Sequence, residues 1–142
     1  MREYLVNVNE RLLSLNQLAH TYMQSRNDTY VMELAIQYIR RNYPKPITLA
    51  MVSNEVSLNY AYFSTMFSKY TGKTFSEYLR NTRMEKAKEL LRQPDISIAE
   101  VAAQVGYENY KSFYRAFKDA VGTTPVEYQQ KKYRIHREDE KQ

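Results

Sequence analysis

Apolar positions along this chain recur at steps of three and four rather than two, which predicts an all-α protein. The N-terminal segment places Leu5, Val8, Leu12, Leu15, Ala19 and Tyr22 at alternating steps of three and four, an a/d heptad seam. The polar run at 25–29 reads as a break. Beyond it, a helix of about 30–43 sets Val31, Leu34, Ala35, Tyr38 and Ile39 on one face, and Pro44 and Pro46 end it. A short helix at 49–56, a helix at 60–71 and a long helix of about 74–92 come next. The pattern closes with a short helix at 98–105, a helix at 110–121 and a last helix of about 125–133. Seven helices are thus expected in residues 30–133, preceded by a linker helix in 1–29 and followed by a charged tail at 134–142.

Local signals support these divisions. Thr74 with Glu77 and Ser97 with Glu100 fit capping boxes, while Thr124, Pro125 and Glu127 supply a cap, a first-turn proline and a third-position acid. Gly72 and Gly122 fall just past two helices, where a left-handed terminator is wanted. Gly106 falls in the tight turn between helices 98–105 and 110–121. Its counterpart Ser57 is less comfortable if that turn needs positive φ.

That counterpart exists because the chain repeats itself. Ile47, Ala50, Val52 and Val56 recur as Ile96, Ala99, Val101 and Val105 at an offset of 49, and Phe63, Phe67, Gly72, Thr74, Glu77 and Tyr78 recur as Phe113, Phe117, Gly122, Thr124, Glu127 and Tyr128 at an offset of 50. The slip of one residue lies between the two helices of each copy, where a turn absorbs it. Each copy reads as a helix-turn-helix, at 47–72 and 96–122, joined by the long helix. Two such units let one chain contact DNA twice, where most helix-turn-helix proteins need a dimer. At 1.5 Å per residue the joining helix of about nineteen residues spans roughly 28 Å, near the roughly 34 Å between successive major-groove faces.

Charge agrees with the repeat. The net charge is +5. In residues 1–29, Arg2, Arg11 and Arg26 cancel Glu3, Glu10 and Asp28; in 134–142, Arg134, Arg137 and Lys141 cancel Glu138, Asp139 and Glu140. All the excess lies in residues 30–133, as a polyanionic partner requires.

Unrolled at about 100° per residue, helix 110–121 buries Phe113, Ala116, Phe117 and Ala120. Its opposite face carries Lys111, Arg115 and Lys118, with Ser112 and Tyr114 on the shoulders. Only Asp119, at the edge, opposes these cations. Arginine can bond guanine O6 and N7 together, whereas lysine more often neutralises phosphate. Helix 60–71 buries Phe63, Met66, Phe67 and Tyr70 and leaves Ala61, Thr65 and Ser68 open, flanked by Ser64 and Lys69. Short hydroxyl and methyl groups reach thymine methyls and phosphates only, so this unit either reads shape and thymine or contributes less affinity. On the long helix, Arg80, Arg83, Lys86, Lys88 and Arg92 read as solvated or paired with Glu85 and Glu89, with one or two available to phosphate.

Together these residues resemble the DNA-binding domain of the AraC/XylS-type bacterial transcription regulators over about residues 31–130. The resemblance rests on Ile96-Ser97-Ile98-Ala99-Glu100-Val101-Ala102, Val105-Gly106-Tyr107, Phe113-Tyr114-Arg115-Ala116-Phe117-Lys118, Gly122-Thr123-Thr124-Pro125 and Tyr128, with Arg83, Ala87, Leu90 and Leu91 between the copies. It implies the seven-helix fold with two helix-turn-helix units, binding to double-stranded promoter DNA, and activation through RNA polymerase. Carried over by position, its base-reading sites fall on Ala61, Ser64 and Thr65, then on Tyr110, Lys111, Ser112 and Arg115, with Lys118 as a phosphate partner. Two departures stand out. Gln129 replaces an arginine that the family often has, and the first reading helix lacks long polar side chains. Residues 1–29 lie outside the match. They look like the linker from an upstream receiver or sensory domain; a short stand-alone member with an added helix is the alternative.

Other classes fit less well. His20 and His136 are far apart, and no carboxylate pair, phosphate loop or metal spacing accompanies them, so neither an enzyme nor a cofactor site is expected. The chain has no cysteine, no stretch able to span a membrane and no apolar leader near Arg2, Glu3, Glu10 and Arg11, which fits a cytoplasmic protein. A helical module whose cationic face meets an acidic protein is the remaining alternative. The heptad seam has three readings: a homodimer contact through residues 5–22, a helix docked on its own domain, or a plain linker.

Overall fold

The computed structural model describes residues 2–141, and the side chains of all of these except residues 2–6 and 22–25. It is all-helical, with α1 (Arg2–Asn42), α2 (Leu49–Glu55), α3 (Tyr60–Thr71), α4 (Phe75–Leu90), α5 (Ile98–Gln104), α6 (Tyr110–Val121) and α7 (Pro125–Asp139). Seven helices result, not eight, because the linker helix and the first domain helix are one. The break expected at 25–29 is absent: that run holds no proline or glycine, and polar residues alone do not interrupt a helix. The tail is likewise helical as far as Asp139.

Two half-cores flank α4. The first gathers Met32, Ala35, Ile36 and Ile39 of α1 with Val52, Phe63, Phe67, Phe75 and Leu79. The second gathers Met84, Ala87 and Leu91 with Val101, Ala102, Val105, Phe113 and Phe117. Tyr43 packs against both. The buried stripe of α1 is rotated from the one expected: Met32 and Ile36 are inside, whereas Leu34 is 38% exposed. Periodicity gave the width of the stripe, but α2 and α3 choose its centre. Tyr70 and Ala120, expected inside, are exposed. The Tyr70 hydroxyl instead donates to Glu33 on α1, whose carboxylate holds the phenol above its ordinary pKa. Tyr62 donates likewise to Asp28, at 3.0 and 3.1 Å. These bonds fasten α1 along the back of α3.

The repeat in sequence is a repeat in packing. Phe63 and Phe67 lie 5.6 Å apart with Tyr78 edge-on to Phe67 at 5.3 Å; Phe113 and Phe117 lie 5.8 Å apart with Tyr128 edge-on to Phe117 at 5.6 Å. The inter-helix turns share their hydrogen bonds, Leu58 N–H to Ser53 C=O and Tyr107 N–H to Ala102 C=O, both 2.9 Å. Ser57 and Gly106 adopt φ of 57° and 98° in those turns, so the serine does occupy the strained left-handed position. Asn59 and Asn109 both cap their helices, α3 and α6, through the side-chain oxygen, which locates the slip: Glu108 is the inserted residue. Both expected capping boxes form, Thr124 with Glu127 makes a third, and Gly72 and Gly122 terminate α3 and α6 in the left-handed conformation.

The halves are joined by Arg83. From α4 its Nε donates to the Tyr43 carbonyl at 2.8 Å and its terminal nitrogen to the Lys45 carbonyl at 2.9 Å, while its guanidinium covers the Tyr107 ring at 5.5 Å. Burial lowers the Arg83 pKa and raises that of Tyr107, without discharging the arginine. Gly106 closes the joint: a Cβ there would stand 2.8 Å from the Pro44 carbonyl oxygen and 3.1 Å from Arg83 Nε. Arg83 is therefore structural, not the solvated or phosphate-facing cation expected. Gln129, the first of the two departures, also ties one part of the chain to another, donating to the carbonyls of Gln93 and Ile96 at 3.0 and 2.9 Å.

Two substitutions test this joint by denaturant unfolding. Arg83→Ala removes both bonds and strands the Tyr43 carbonyl, while the Lys45 carbonyl keeps its bond from the Ile47 N–H. It should cost about 1–3 kcal/mol, with Arg83→Lys recovering only part because one ammonium cannot reproduce the fork. Gly106→Ala should cost clearly more than Gly72→Ala, since both need positive φ but nothing lies within 4 Å of a Cβ at Gly72. Equal losses at the two glycines would show that the close approach at Pro44 carries no energy.

Candidate nucleic-acid interface

The second helix of each unit is held by its short partner and by the aromatic trio, and this fixes which face stays open. On α6, Phe113 and Phe117 are fully buried. One face away, Lys111, Ser112, Arg115 and Lys118 are exposed, Tyr110 is 44% exposed, and Tyr114 is half-buried against Tyr110, with ring centres 6.3 Å apart. All six residues expected to read or hold DNA on this helix therefore share one accessible surface. The Asn109 cap receives the Lys111 N–H at 2.8 Å, so the first reading residues sit on a fixed helical start.

On α3 the arrangement repeats with different chemistry. Ala61, Thr65 and Lys69 are exposed and Ser64 is half-buried. Thr65 donates back to the Ala61 carbonyl at 3.1 Å, which occupies its hydroxyl proton and leaves an acceptor and a methyl outward. Tyr60, which stands where α6 has Tyr110, is 56% exposed at the head of α3. It lies outside the expected set, although the offset of 50 pairs it with Tyr110. Lys69 stands apart, on the side of α3 that meets α1 beside Asp28 and Tyr70, and so is turned from the others.

Between the two units runs an open groove of about 490 Å³ whose lining includes Tyr60 and Ser64 of α3, Arg80 of α4 and Tyr107. Of the four cations on α4, Arg83 is bound structurally, while Lys86 and Lys88 pair with Glu89 and Glu85 at 3.2 and 2.8 Å; Arg92 falls past the end of the helix. Arg80 and Arg83 both line the groove; Arg80 is exposed there, beside Tyr60 and Ser64 of α3. The α4 helix has 16 residues, a rise of about 24 Å, shorter than the expected 28 Å. Its ends are cut back because Thr74 serves as cap and Leu91 as terminator. Among the described residues there is no helix long and apolar enough to cross a membrane, and no group of three or more His, Cys, Asp or Glu suited to a metal ion.

A family described as a helix-turn-helix domain matches residues 52–131. Among curated proteins, the regulatory protein PocR of Salmonella typhimurium is 34% identical over 99 residues, which is 70% of this chain and 33% of PocR. The chain spans only 13% to 36% of the length of the first curated relatives it matches. Among solved structures, the C-terminal domain of AraT, a response regulator from Geobacillus stearothermophilus, superposes with a TM-score of 0.69 at 34% identity, covering 71% of this chain and 84% of that one. The C-terminal domain of the two-component response regulator yesN from Fusobacterium nucleatum gives 0.65 at 38% identity, covering 68% and 95%.

Measured by titration of a labelled duplex carrying the preferred site, Arg115→Ala should weaken binding by roughly 1–3 kcal/mol and relax discrimination at one base position. Lys118→Ala should weaken all sequences alike and flatten the salt dependence by roughly one unit. An unchanged selected motif for Arg115→Ala would remove it from the base-reading set.

Proposed function

The chain belongs to the AraC/XylS-type helix-turn-helix family of DNA-binding transcription regulators, and we propose that it seats α3 and α6 in successive major-groove segments of promoter DNA. The observation that carries this reading is the α6 surface, where Tyr110, Lys111, Ser112, Arg115 and Lys118 stand together on the side opposite the buried phenylalanines. Lys111 and Arg115 read base edges, with Tyr110 and Ser112 beside them; Lys118 holds phosphate. Ala61, Ser64 and Thr65 of α3 make short-range contacts to thymine methyls and backbone. Arg80 and Tyr60, in the groove between the units, face the phosphates that cross from one major-groove segment to the next.

The rigid separation sets the form of the site. With α4 at about 24 Å against the roughly 34 Å repeat of the duplex, the α3 and α6 helices seat together most readily on DNA bent toward the protein. Flexible steps between the contacted elements then add preference at positions nothing touches. Within a larger regulator, the chain acts as the output part behind a receiver or sensory domain, and it activates transcription through RNA polymerase. The greater length of the curated relatives and the response-regulator origin of the AraT and yesN domains support that placement.

Footprinting at protein concentrations where the chain is monomeric tests the arrangement. The expected result is a non-palindromic site of two elements with centres about 10 bp apart on one face, the element beneath α6 being the more sharply specified. A single protected element of about 5 bp, or a strict palindrome needing two chains, contradicts it. Binding to an acidic protein with no discrimination among duplex sequences would place the cationic face in a protein-interaction module instead.

A further inference from the structure

The N-terminal arm of α1 carries an apolar stripe that the domain does not use. Val8, Leu12 and Leu15 are 37%, 54% and 61% exposed, and Ala19 is exposed with them, so the docked-helix reading of this segment is excluded for the described side chains. Leu5 and Tyr22, the outer positions of the seam, lie outside the described side chains. We propose that this stripe is the contact for a second copy of the same chain, paired in parallel along residues 5–22 as a short coiled coil.

Three observations converge on a second copy. The spacing is that of a heptad, with Leu5, Leu12 and Ala19 at a and Val8, Leu15 and Tyr22 at d, so each layer of a parallel pair sets a residue against itself. The flanks match in that orientation: Arg11 at g meets Asn16 at e of the other copy, and Leu18 at g meets Met23 at e. An antiparallel pair would set Arg11 against Leu18. No like charges face each other in the parallel arrangement, and residues 1–29 are neutral as a whole.

The third observation is the rotation of the seam relative to the domain. Because α1 is one uninterrupted helix, its two faces are locked together. At about 100° per residue, the centre of Val8, Leu12, Leu15 and Ala19 lies about 140° round the helix from that of Met32, Ala35, Ile36 and Ile39. The seam therefore points away from the side on which the domain hangs. A second arm can lie along it without meeting the DNA-binding domain of the first. Three heptads bury little, so the pairing is weak alone and depends on concentration or on anything upstream that holds two chains together.

The chain has no cysteine, so single thiols can be placed at will. Val8→Cys and Ala19→Cys, at the two ends of the seam, should each form interchain disulfides about tenfold or more faster than Ser14→Cys on the outer face, because parallel pairing holds like positions at high effective concentration. Adding Leu12→Asp should abolish that advantage. Equal rates at Ser14→Cys, or a full-length chain that sediments as a monomer at every concentration, would overturn the proposal. Dimers in sedimentation without disulfides at residues 8 and 19 would overturn the parallel arrangement. None of these measurements involves DNA, so failure of the pairing and failure of the DNA-binding reading are separate results.

Discussion

The fork of hydrogen bonds from Arg83 to the carbonyls of Tyr43 and Lys45 makes one body of two small cores. Each half-core is built on a trio of two phenylalanines and a tyrosine, joined in the first by Phe75, too little apolar surface for an independent domain of such size. Joining them along α4 removes that weakness and sets the reading helices at a fixed angle. A lysine or an apolar residue would not serve. The Pro44–Pro46 turn has carbonyls to satisfy and no side chains to pack, and the planar guanidinium meets two of them while stacking on Tyr107. Gly106 is required at the same point because the second unit's turn comes too near Pro44 for a Cβ.

Duplication preserved what folding needs and freed what reading uses. The aromatic trios, the asparagine caps and the left-handed terminators at Gly72 and Gly122 coincide between the copies. The outer faces do not. Thr65 and Ser64 on α3 stand where Arg115 and Tyr114 stand on α6, so reach and charge differ while the scaffold stays the same. The first unit also accepts Ser57 at φ 57°, a conformation that costs a non-glycine residue about 1 kcal/mol. Ser57 is exposed in that turn, so its side chain has room and the strain lies in the backbone torsion.

What was legible in the sequence was local. Caps, terminators and the three-four spacing act within one or two turns of helix, so Thr74 with Glu77 or Gly122 after α6 can be read without knowing the rest of the molecule. The α6 face was legible for the same reason, since Phe113 and Phe117 fix its rotation. Contacts set by distant backbone were not. Arg83 looks like any other cation on a charged helix, because its partners are carbonyls about forty residues earlier that carry no side-chain signature. Gln129 is hidden in the same way. The rotation of α1 failed at Leu34 and Met32 because several faces were apolar enough and only the packing of α2 and α3 selects among them. Polar composition at 25–29 was misread as a break, when only proline, glycine or a competing cap would have supplied one.

Continuity through that segment changes how the arm relates to the reading helices. A flexible joint at 25–29 would let anything attached to the arm move independently of the DNA-binding domain. A continuous helix does not. Its orientation is fixed to the first unit by the buried Met32, Ala35, Ile36 and Ile39 and by the bonds from Tyr62 to Asp28 and from Tyr70 to Glu33. Both tyrosines belong to α3, the helix whose open face carries Ala61, Ser64 and Thr65. The second unit, with its cationic face, takes its position from α4 and from Arg83. Displacement of the arm thus acts first on the placement of α3, and reaches α6 through α4 and the joint at Tyr43. The division of surface chemistry between the copies follows the division of mechanics: the helix tied to the arm carries the short neutral side chains of Ala61, Ser64 and Thr65, and the helix held at a distance from it carries Lys111, Arg115 and Lys118.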